Sequence, residues 1–333
     1  MPLRLHSRQS DFPERFDAFL GDKREGAVDV SQQVAEILAQ VKSRGDDAVL
    51  DYTRRFDRVD FTVADLRLPG AALDQAMGEV PGDQIRALEH AHERITAYHA
   101  RQLPVDDRFT DANGIELGHR WTAVAAVGLY VPGGLASYPS SLLMNAIPAK
   151  VAGVPRLAMA VPAPDGQLNP LVLAAAKIAG VEEIYRIGGA QAIGALAYGT
   201  ASIPAVDKIV GPGNAYVATA KRQVFGTVGI EMIAGPSEIL VLADRDNDPS
   251  WIAADLLSQA EHDTAAQSIL ITDDEAFAER VVAAVTVQLA ELPKVDIATE
   301  SWDRFGCVII VEDWDDAVDL VDRIAPEHLA IAL

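Results

Sequence analysis

Two short polar clusters interrupt a sequence that is otherwise rich in apolar residues. The first consists of Gln259 and His262, three residues apart in the segment D-L-L-S-Q-A-E-H-D. Positions three apart on a helix hold their Cβ atoms about 5–6 Å from each other, so both side chains can bind one metal ion. Glutamine is an uncommon metal ligand, and polar residues that end a helix explain the pair equally well. The pair therefore indicates either a metal site or a helix terminus.

The second cluster consists of Glu327 and His328, directly after Pro326. Proline disfavours helical geometry at the preceding residue, so the pair is predicted to lie on a turn where both side chains can point into one cavity. Histidine titrates near neutral pH and suits proton transfer, and a neighbouring carboxylate suits the activation of water. An isolated Glu-His pair is more often part of a surface turn, and the two residues alone leave both interpretations open.

Strand-like and helix-like segments alternate along most of the chain. An exposed strand is expected at 115–121, and apolar strands at 123–131, 156–161, 183–187, 207–210, 228–232, 238–243, 268–272 and 306–311. Helices are expected around 34–41, 46–56 and 85–99, and then at 140–152, 170–179, 190–198, 215–225, 249–262, 274–291 and 314–324. Apolar strands that alternate with helices predict an α/β fold with parallel sheets covered on both faces. The length fits two such sheets better than one.

Glycine-bearing turns follow four of the predicted strands. They are Pro132-Gly133-Gly134, the segment from Gly188 to Gln191, the segment from Gly211 to Asn214, and the segment from Ala234 to Glu238. In open parallel sheets ligands bind beyond the carboxyl ends of the strands, and glycine lets backbone and helix N-termini approach an anionic group such as a pyrophosphate. The complete G-x-G-x-x-G fingerprint is absent, however, because Tyr216 stands where a third glycine is required. By motif alone, structural turns explain these glycines as well as a dinucleotide does.

The composition excludes several classes of partner. Apolar residues make up 49% of the 333 residues and charged residues 23%, which is typical of a globular protein of about two domains. A formal net charge of −21 repels phosphate backbones and anionic lipid surfaces, so neither nucleic acid nor membrane is an expected partner. The N-terminal residues lack the apolar segment of a secretory signal, and the cytoplasm is the expected compartment. The single Cys307 lies in an apolar run and is expected to be buried.

The ordered motifs, taken together, resemble those of the histidinol dehydrogenases over nearly the whole chain. They are G-L-Y-V-P-G-G at 128–134, G-G-A-Q-A-I-G at 188–194, G-P-G-N-A-Y-V at 211–217, I-A-G-P-S-E-I at 233–239, D-L-L-S-Q-A-E-H-D at 255–263 and A-P-E-H-L at 325–329. The resemblance implies an NAD-dependent, zinc-dependent oxidation of L-histidinol to L-histidine through the aldehyde, in histidine biosynthesis. It also implies a homodimer with one zinc ion in each active site.

The resemblance assigns a role to each matching residue. It implies NAD contacts at Tyr130, Gln191 and Asn214, and substrate contacts at Ser237, Gln259, His262 and His328. It implies zinc ligands at Gln259 and His262, and a catalytic acid/base pair at Glu327 and His328.

The family fold implies two incomplete Rossmann-like domains, each a doubly wound parallel sheet, and a small helical N-terminal arm. The arm is expected at 1–27. The first α/β domain is expected to be discontinuous and to combine 28–129 with 238–333, and the second is expected as an insertion at 130–237.

Members of the family continue beyond the position of Leu333, with an aspartate and a histidine that complete the zinc site. The resemblance thus leaves this chain with Gln259 and His262 as its zinc ligands. Two alternatives stay open, a related zinc- and NAD-dependent dehydrogenase of another small polar alcohol and an inactive truncated form.

We expect this polypeptide to carry little zinc after purification and to oxidise histidinol slowly. Zinc sites normally have three or four protein ligands, and a neutral glutamine adds no charge to offset dehydration of the cation. Metal analysis and an NADH assay test this expectation. Nearly one zinc per chain together with rapid NADH formation would contradict it.

Overall fold

A computed structural model describes residues 1–25, 30–133, 138–233, 235 and 237–333 of the chain. The described strands, in chain order, are β1 (Leu3–His6), β2 (Asp107–Thr110), β3 (Glu116–His119), β4 (Ala126–Tyr130), β5 (Arg156–Ala160), β6 (Glu183–Tyr185), β7 (Lys208–Val210), β8 (Gly229–Ile230), β9 (Glu238–Ala243), β10 (Gln267–Thr272), β11 (Cys307–Ile310) and β12 (His328–Ala332).

The described helices are α1 (Phe12–Glu25), α2 (Ser31–Arg44), α3 (Asp46–Asp57), α4 (Val63–Leu66), α5 (Ala71–Glu79), α6 (Gly82–Ala100), α7 (Pro139–Val151), α8 (Pro170–Ile178), α9 (Gly189–Tyr198), α10 (Ala215–Val224), α11 (Pro249–Ala260), α12 (Glu275–Leu289), α13 (Val295–Phe305) and α14 (Trp314–Ile324). A short 3₁₀ turn spans Pro164–Gly166. None of the helices in the described part of the chain is both long and apolar enough to cross a membrane.

The chain divides into two compact units, the first formed by Met1–Val28 with Gly235–Leu333 and the second by Asp29–Ala234. The sheet of the first unit has the strand order β1-β11-β10-β9-β12, and every pair of neighbouring strands is parallel. Successive residues of a strand point to opposite faces, so Val241 packs with α11, α12 and α13 while Leu240 packs with α1 and α14. The predicted arrangement of helices on both faces is therefore confirmed for this sheet.

The second unit repeats this architecture with the strand order β6-β5-β4-β7-β8, again entirely parallel. Helices α2, α3, α9 and α10 cover one face, and α5, α6, α7 and α8 cover the other. A separate antiparallel hairpin of β2 and β3 belongs to the same unit, and both of its strands are exposed.

The division into units differs from the predicted domains at 28–129. The helices of this segment pack on the sheet of β4 to β8, whereas the prediction joined them to the strands after residue 238. The cause lies in α9, whose small side chains let α2 approach closely. A Cβ placed on Gly194 would lie 3.0 Å from a methyl carbon of Leu38. The apolar stripe of α2 therefore finds its partner in the second unit.

The N-terminal arm predicted at 1–27 also differs. Residues Leu3–His6 form β1 and pair with β11, so the beginning of the chain is an edge strand of the first sheet. Phe16 of α1 is fully buried on one face of that sheet. A strand of four residues is too short to give a periodic signal, and the predicted boundary after residue 27 lies outside the described residues.

Replacement of Leu240 by alanine should lower the free energy of unfolding by about 2–5 kcal/mol, because a buried leucine leaves a cavity behind. Leu240 is fully buried in β9, and its neighbour in register, Leu329 of β12, is 45% exposed. The matched control Leu329→Ala should cost only about 0.5–1 kcal/mol. Urea titrations followed by tryptophan fluorescence test this, and equal losses in both variants would contradict the assigned packing.

Candidate active site

Tyr130 is the last residue of β4, at the carboxyl edge of the sheet in the second unit. Its side chain is buried, and its hydroxyl oxygen accepts a hydrogen bond from the backbone N–H of Gly189 at 3.1 Å. Burial raises the pKa of Tyr130 to about 12. The phenol therefore keeps its proton near neutral pH and can donate it to an acceptor.

Gln191 lies in the first turn of α9 and is only 1% exposed. Its Oε1 atom has no hydrogen-bond partner in the described part of the chain. A buried acceptor that lacks a donor costs about 1–3 kcal/mol, which a ligand N–H or O–H group can offset. Gly189 takes φ = +62°, and a Cβ at that position would lie 2.8 Å from the same oxygen. Glycine is thus required beside Gln191.

Asn214 caps the N-terminus of α10. Its side-chain oxygen accepts hydrogen bonds from the backbone N–H groups of Tyr216 and Val217 at 3.1 and 3.2 Å. Three residues earlier, Gly211 takes φ = +120°, and a Cβ there would lie 2.0 Å from the carbonyl oxygen of Tyr130. The turn before α10 therefore touches the end of β4, which brings the surroundings of Asn214 and Tyr130 together.

Pro162, directly after β5, joins two more of the predicted glycine turns. A Cβ on Gly133 would lie 2.6 Å from Pro162, and a Cβ on Gly188 would lie 2.4 Å from it. The turns after β4, β5, β6 and β7 thus meet at one edge of the sheet, and those after β4, β6 and β7 are predicted glycine turns, whereas the turn after β5 is not among them. Gly134, the last residue of the first predicted turn, lies outside the described residues.

Gln259 and His262 lie at the end of α11 in the first unit. Asp248 begins this helix as its N-cap, and Gln259 is buried near its last residue, Ala260. The predicted helix extends to residue 262, but His262 lies in the turn beyond the helix and is exposed. Its backbone N–H donates to the carbonyl of Gln259 at 3.1 Å. The two side chains are therefore neighbours across a helix terminus and do not share a helical face.

Glu327 and His328 stand at the beginning of β12. Helix α14 ends at Ile324, and the capping residue Ala325 takes a left-handed conformation with φ = 48°. Glu327 lies on the bend that follows, but His328 is already the first residue of the strand, so the predicted turn holds only the glutamate. The carboxylate and the imidazole Nε2 are 4.0 Å apart, and both side chains are more than half exposed.

His328 shares a sheet face with α11. In register it lies beside Ile239, and both Ile239 and Ala330 belong to the core layer that contains α11. Because side chains alternate along a strand, His328 points to the same face as Ala330. Gln259, near the end of α11, borders this face of the sheet.

Ser237 immediately precedes β9 and is half-buried, and its carbonyl accepts the N–H of Gln267 at 2.9 Å. The turn predicted around it includes Ala234 and Pro236, which lie outside the described residues. All the candidate residues of the first unit, from Ser237 to His328, therefore stand at the amino edge of their sheet. In the second unit the candidate residues follow the carboxyl ends of strands, as expected of site residues, whereas those of the first unit precede the amino ends.

The described residues supply only part of the ligand set of a zinc site. Gln259 and His262 supply two donor groups, and the described residues contain no cluster of three or more histidine, cysteine or acidic side chains that could hold a metal ion. Zinc sites use three or four protein ligands. The donor set described here therefore does not fit a complete zinc site.

Asp57 is a buried group that the sequence analysis missed. It ends α3, is 6% exposed, and its Oδ2 atom has no partner within the described ranges. Burial raises the pKa of the Asp57 carboxyl, and its charge contributes to the raised pKa of Tyr130. The neighbouring Phe56, an apolar residue of the same helix, is 44% exposed. The four-residue spacing of Val49, Thr53 and Asp57 is the signal that identifies the buried face.

Comparison with known proteins identifies the family. The sequence profile of the histidinol dehydrogenases matches residues 21–333. The chain belongs to the histidinol dehydrogenase family. The histidinol dehydrogenases of Ruegeria pomeroyi and Brucella suis are 64% and 62% identical to it over 333 residues, which are 100% of this chain and 77% of each relative.

A solved structure supports the same assignment. The histidinol dehydrogenase of Elizabethkingia anophelis superposes with a TM-score of 0.91 at 32% identity, over 100% of this chain and 76% of that chain. The family resemblance and the α/β fold class predicted from the motifs are thereby confirmed.

The variant Asp57→Asn should gain stability relative to the native protein as the pH rises from about 4 to about 7. Because the folded-state pKa of Asp57 is raised, its contribution to stability is present below the ordinary aspartate pKa of about 4 and is lost as the pH rises through the raised value. Asparagine carries no charge and avoids this loss. Urea unfolding of both proteins at several pH values measures the difference.

The control variant Asp165→Asn should change in the opposite direction and below that range: it should lose stability relative to the native protein as the pH rises from the lowered folded-state pKa to about 4, and stay nearly level from about 4 to about 7. Arg58 binds Asp165 through hydrogen bonds of 2.9 and 2.6 Å and lowers the pKa of that carboxyl. Removing a charge that the fold favours costs more at neutral pH than in acid. Parallel profiles for the two variants would contradict the assigned environments.

Proposed function

We propose that the chain catalyses the NAD-dependent oxidation of L-histidinol to L-histidine through the aldehyde, in histidine biosynthesis. The observation that carries the proposal is the match of the family profile to residues 21–333. Further support comes from the polar residues that the family motifs bring to the edges of the two sheets.

NAD is proposed to bind at Tyr130, Gln191 and Asn214. The unpaired Oε1 of Gln191 offers an acceptor, the protonated Tyr130 hydroxyl offers a donor, and the N-termini of α9 and α10 favour an anionic diphosphate. When bound, NAD would supply the hydride acceptor, with one NAD consumed in the oxidation of the alcohol carbon and a second in the oxidation of the aldehyde hydrate. These residues fit such a ligand.

His328 is proposed as the base of the first oxidation. Loss of hydride from an alcohol requires removal of the hydroxyl proton, and an imidazole performs this transfer near neutral pH. The exposed ring at the beginning of β12 is open to a substrate. The proton moves from the substrate oxygen to the ring as the carbon–oxygen double bond forms.

Glu327 is proposed to activate the water of the second oxidation. The aldehyde must first be hydrated, and a carboxylate can accept a proton from the attacking water. The backbone N–H of Glu238 lies 3.4 Å from one oxygen of Glu327, which leaves the other oxygen for the water. The hydrate then loses the hydride from its carbon to the second NAD and a proton from one of its hydroxyl groups, and becomes the carboxylic acid.

Ser237, Gln259, His262 and His328 are proposed to contact the substrate. Gln259 and His262 are also proposed as two ligands of a zinc ion, which would favour the nitrogen atoms of histidinol. Because these two donors do not complete a site, no step of the mechanism depends on the metal.

A homodimer in the cytoplasm is proposed as the working form. The β2–β3 hairpin exposes Phe109, Ile115 and Leu117, and Trp121 follows it with 60% exposure. Contiguous exposed apolar surface is typical of protein interfaces. The compartment follows from the proposed role in amino-acid biosynthesis.

An NADH assay with the purified chain tests the function. Histidinol should be oxidised with NAD and added zinc, whereas amino alcohols without an imidazole ring, such as alaninol, should react far more slowly. Equal rates with alaninol would favour a related polar-alcohol dehydrogenase. No NADH from any alcohol would contradict the proposed activity of this polypeptide.

His328→Asn should reduce kcat by about 10²–10⁴-fold while changing KM for histidinol much less, since a base acts mainly in the transition state. The matched control is His119→Asn, at an exposed histidine of the β2–β3 hairpin, and it should leave kcat unchanged. If His328→Asn keeps the native kcat, His328 is not the base of the first oxidation.

A further inference from the structure

Both backbone polar groups of Gly211 are held by side chains. Its N–H donates to Oε1 of Glu231 at 2.9 Å, and its carbonyl oxygen accepts from Nζ of Lys221 at 3.0 Å. The same two side chains form an ion pair with an N–O distance of 2.5 Å. Two hydrogen bonds therefore converge on one glycine of the turn before α10, and an ion pair links the two side chains that make them.

The position of Lys221 is unusual for a lysine. It lies in the last turn of α10, where a lysine ordinarily extends into water, yet it is 4% exposed and reaches back to a residue ten positions earlier. Glu231, beyond β8, is an exposed residue with 31% of its side chain accessible, so the ion pair is buried only at its lysine end. An ion pair that takes a charge out of water adds little net stability relative to apolar residues of the same volume. Its contribution must therefore be sought in the geometry that it imposes.

The turn at Gly211 needs such a restraint. Its φ of +120° and its contact with the Tyr130 carbonyl admit only glycine, which is also the residue with the greatest backbone freedom. Gly213 is similarly confined, since a Cβ there would lie 2.4 Å from the side chain of Val217. Without fixed partners, a turn with two glycines would sample several conformations, and Asn214 would move with it.

We propose that Lys221 and Glu231 are positioning residues for dinucleotide binding. By holding Gly211 they keep Asn214 and the N-terminus of α10 in the arrangement that receives the anionic and ribose groups of the dinucleotide. The inference rests on the proposed NAD-dependent function, and it adds two residues that need not touch the ligand themselves.

Isothermal titration of the full chain with NAD tests the proposal. Lys221→Met keeps the side-chain volume and removes the donor to Gly211, and the Kd for NAD should rise by about tenfold to a hundredfold, the scale of loss when a binding group is displaced. The matched control Lys177→Met removes a lysine whose ion pair with Asp74 is exposed, and it should bind NAD like the native chain.

A double variant separates positioning from stability. Lys221→Met with Glu231→Gln leaves no unpaired charge buried, so the urea midpoint should recover relative to the single variant. NAD affinity should stay low, because the carbonyl of Gly211 still lacks its donor. In the NADH assay KM for NAD should rise while kcat at saturating NAD stays within about threefold of the native value.

Three results would overturn the assignment. If Lys221→Met binds NAD with the native affinity, the Lys221–Glu231 pair does not position the site. If the double variant recovers both its stability and its affinity for NAD, the role of the pair is purely structural. If the native chain binds no NAD in the same titration, the proposed NAD dependence fails and this assignment fails with it. A failure confined to the variants leaves the proposed function intact.

Discussion

The close approach of Gly211 to the end of β4 is the constraint on which the arrangement of the second unit depends. No side chain fits between Gly211 and the carbonyl of Tyr130, so the turn after β7 and the end of β4 are in direct backbone contact. Tyr130 in turn binds the N–H of Gly189 at the beginning of α9. Two helix N-termini are thereby fixed at one sheet edge, which is the geometry that favours an anionic ligand.

Polar groups buried around this contact support the proposal that this edge binds a ligand. A core optimised only for stability would leave no buried acceptor without a donor, yet Gln191 and Asp57 each present one in the described structure. Burial also keeps the Tyr130 hydroxyl protonated. Such costs are characteristic of functional sites, where the missing partner is supplied by a ligand or by water.

The sequence predicted most strands and helices, because buried parallel strands are continuous apolar runs and the helices between them carry caps such as Asn169 and Asp248. It also predicted the glycine turns that meet at the second sheet. It could not predict which sheet receives α2, since that depends on the small side chains of α9, about 150 residues away in sequence. Asp57 escaped notice for a different reason: the buried stripe of Val49, Thr53 and Asp57 on α3 ends in polar residues, so a search for apolar periodicity does not follow it.

The two units present their candidate residues at opposite ends of similar sheets, and the connections explain the difference. Each candidate residue of the second unit ends a strand or lies at the beginning of the next helix. In the first unit Gln259 lies at the end of α11 and Glu327 follows α14, so both precede the strand to which their helix leads. A strand–helix–strand crossover returns the chain to the amino edge, where the last turn of a helix delivers its side chains. Glu327 and His328 are consequently exposed at the start of an edge strand, while Tyr130 and Gln191 are buried between strand ends and helices. This difference suits the proposed roles, because exposed groups can reach substrate and water, and groups proposed to hold a large ligand benefit from rigid surroundings.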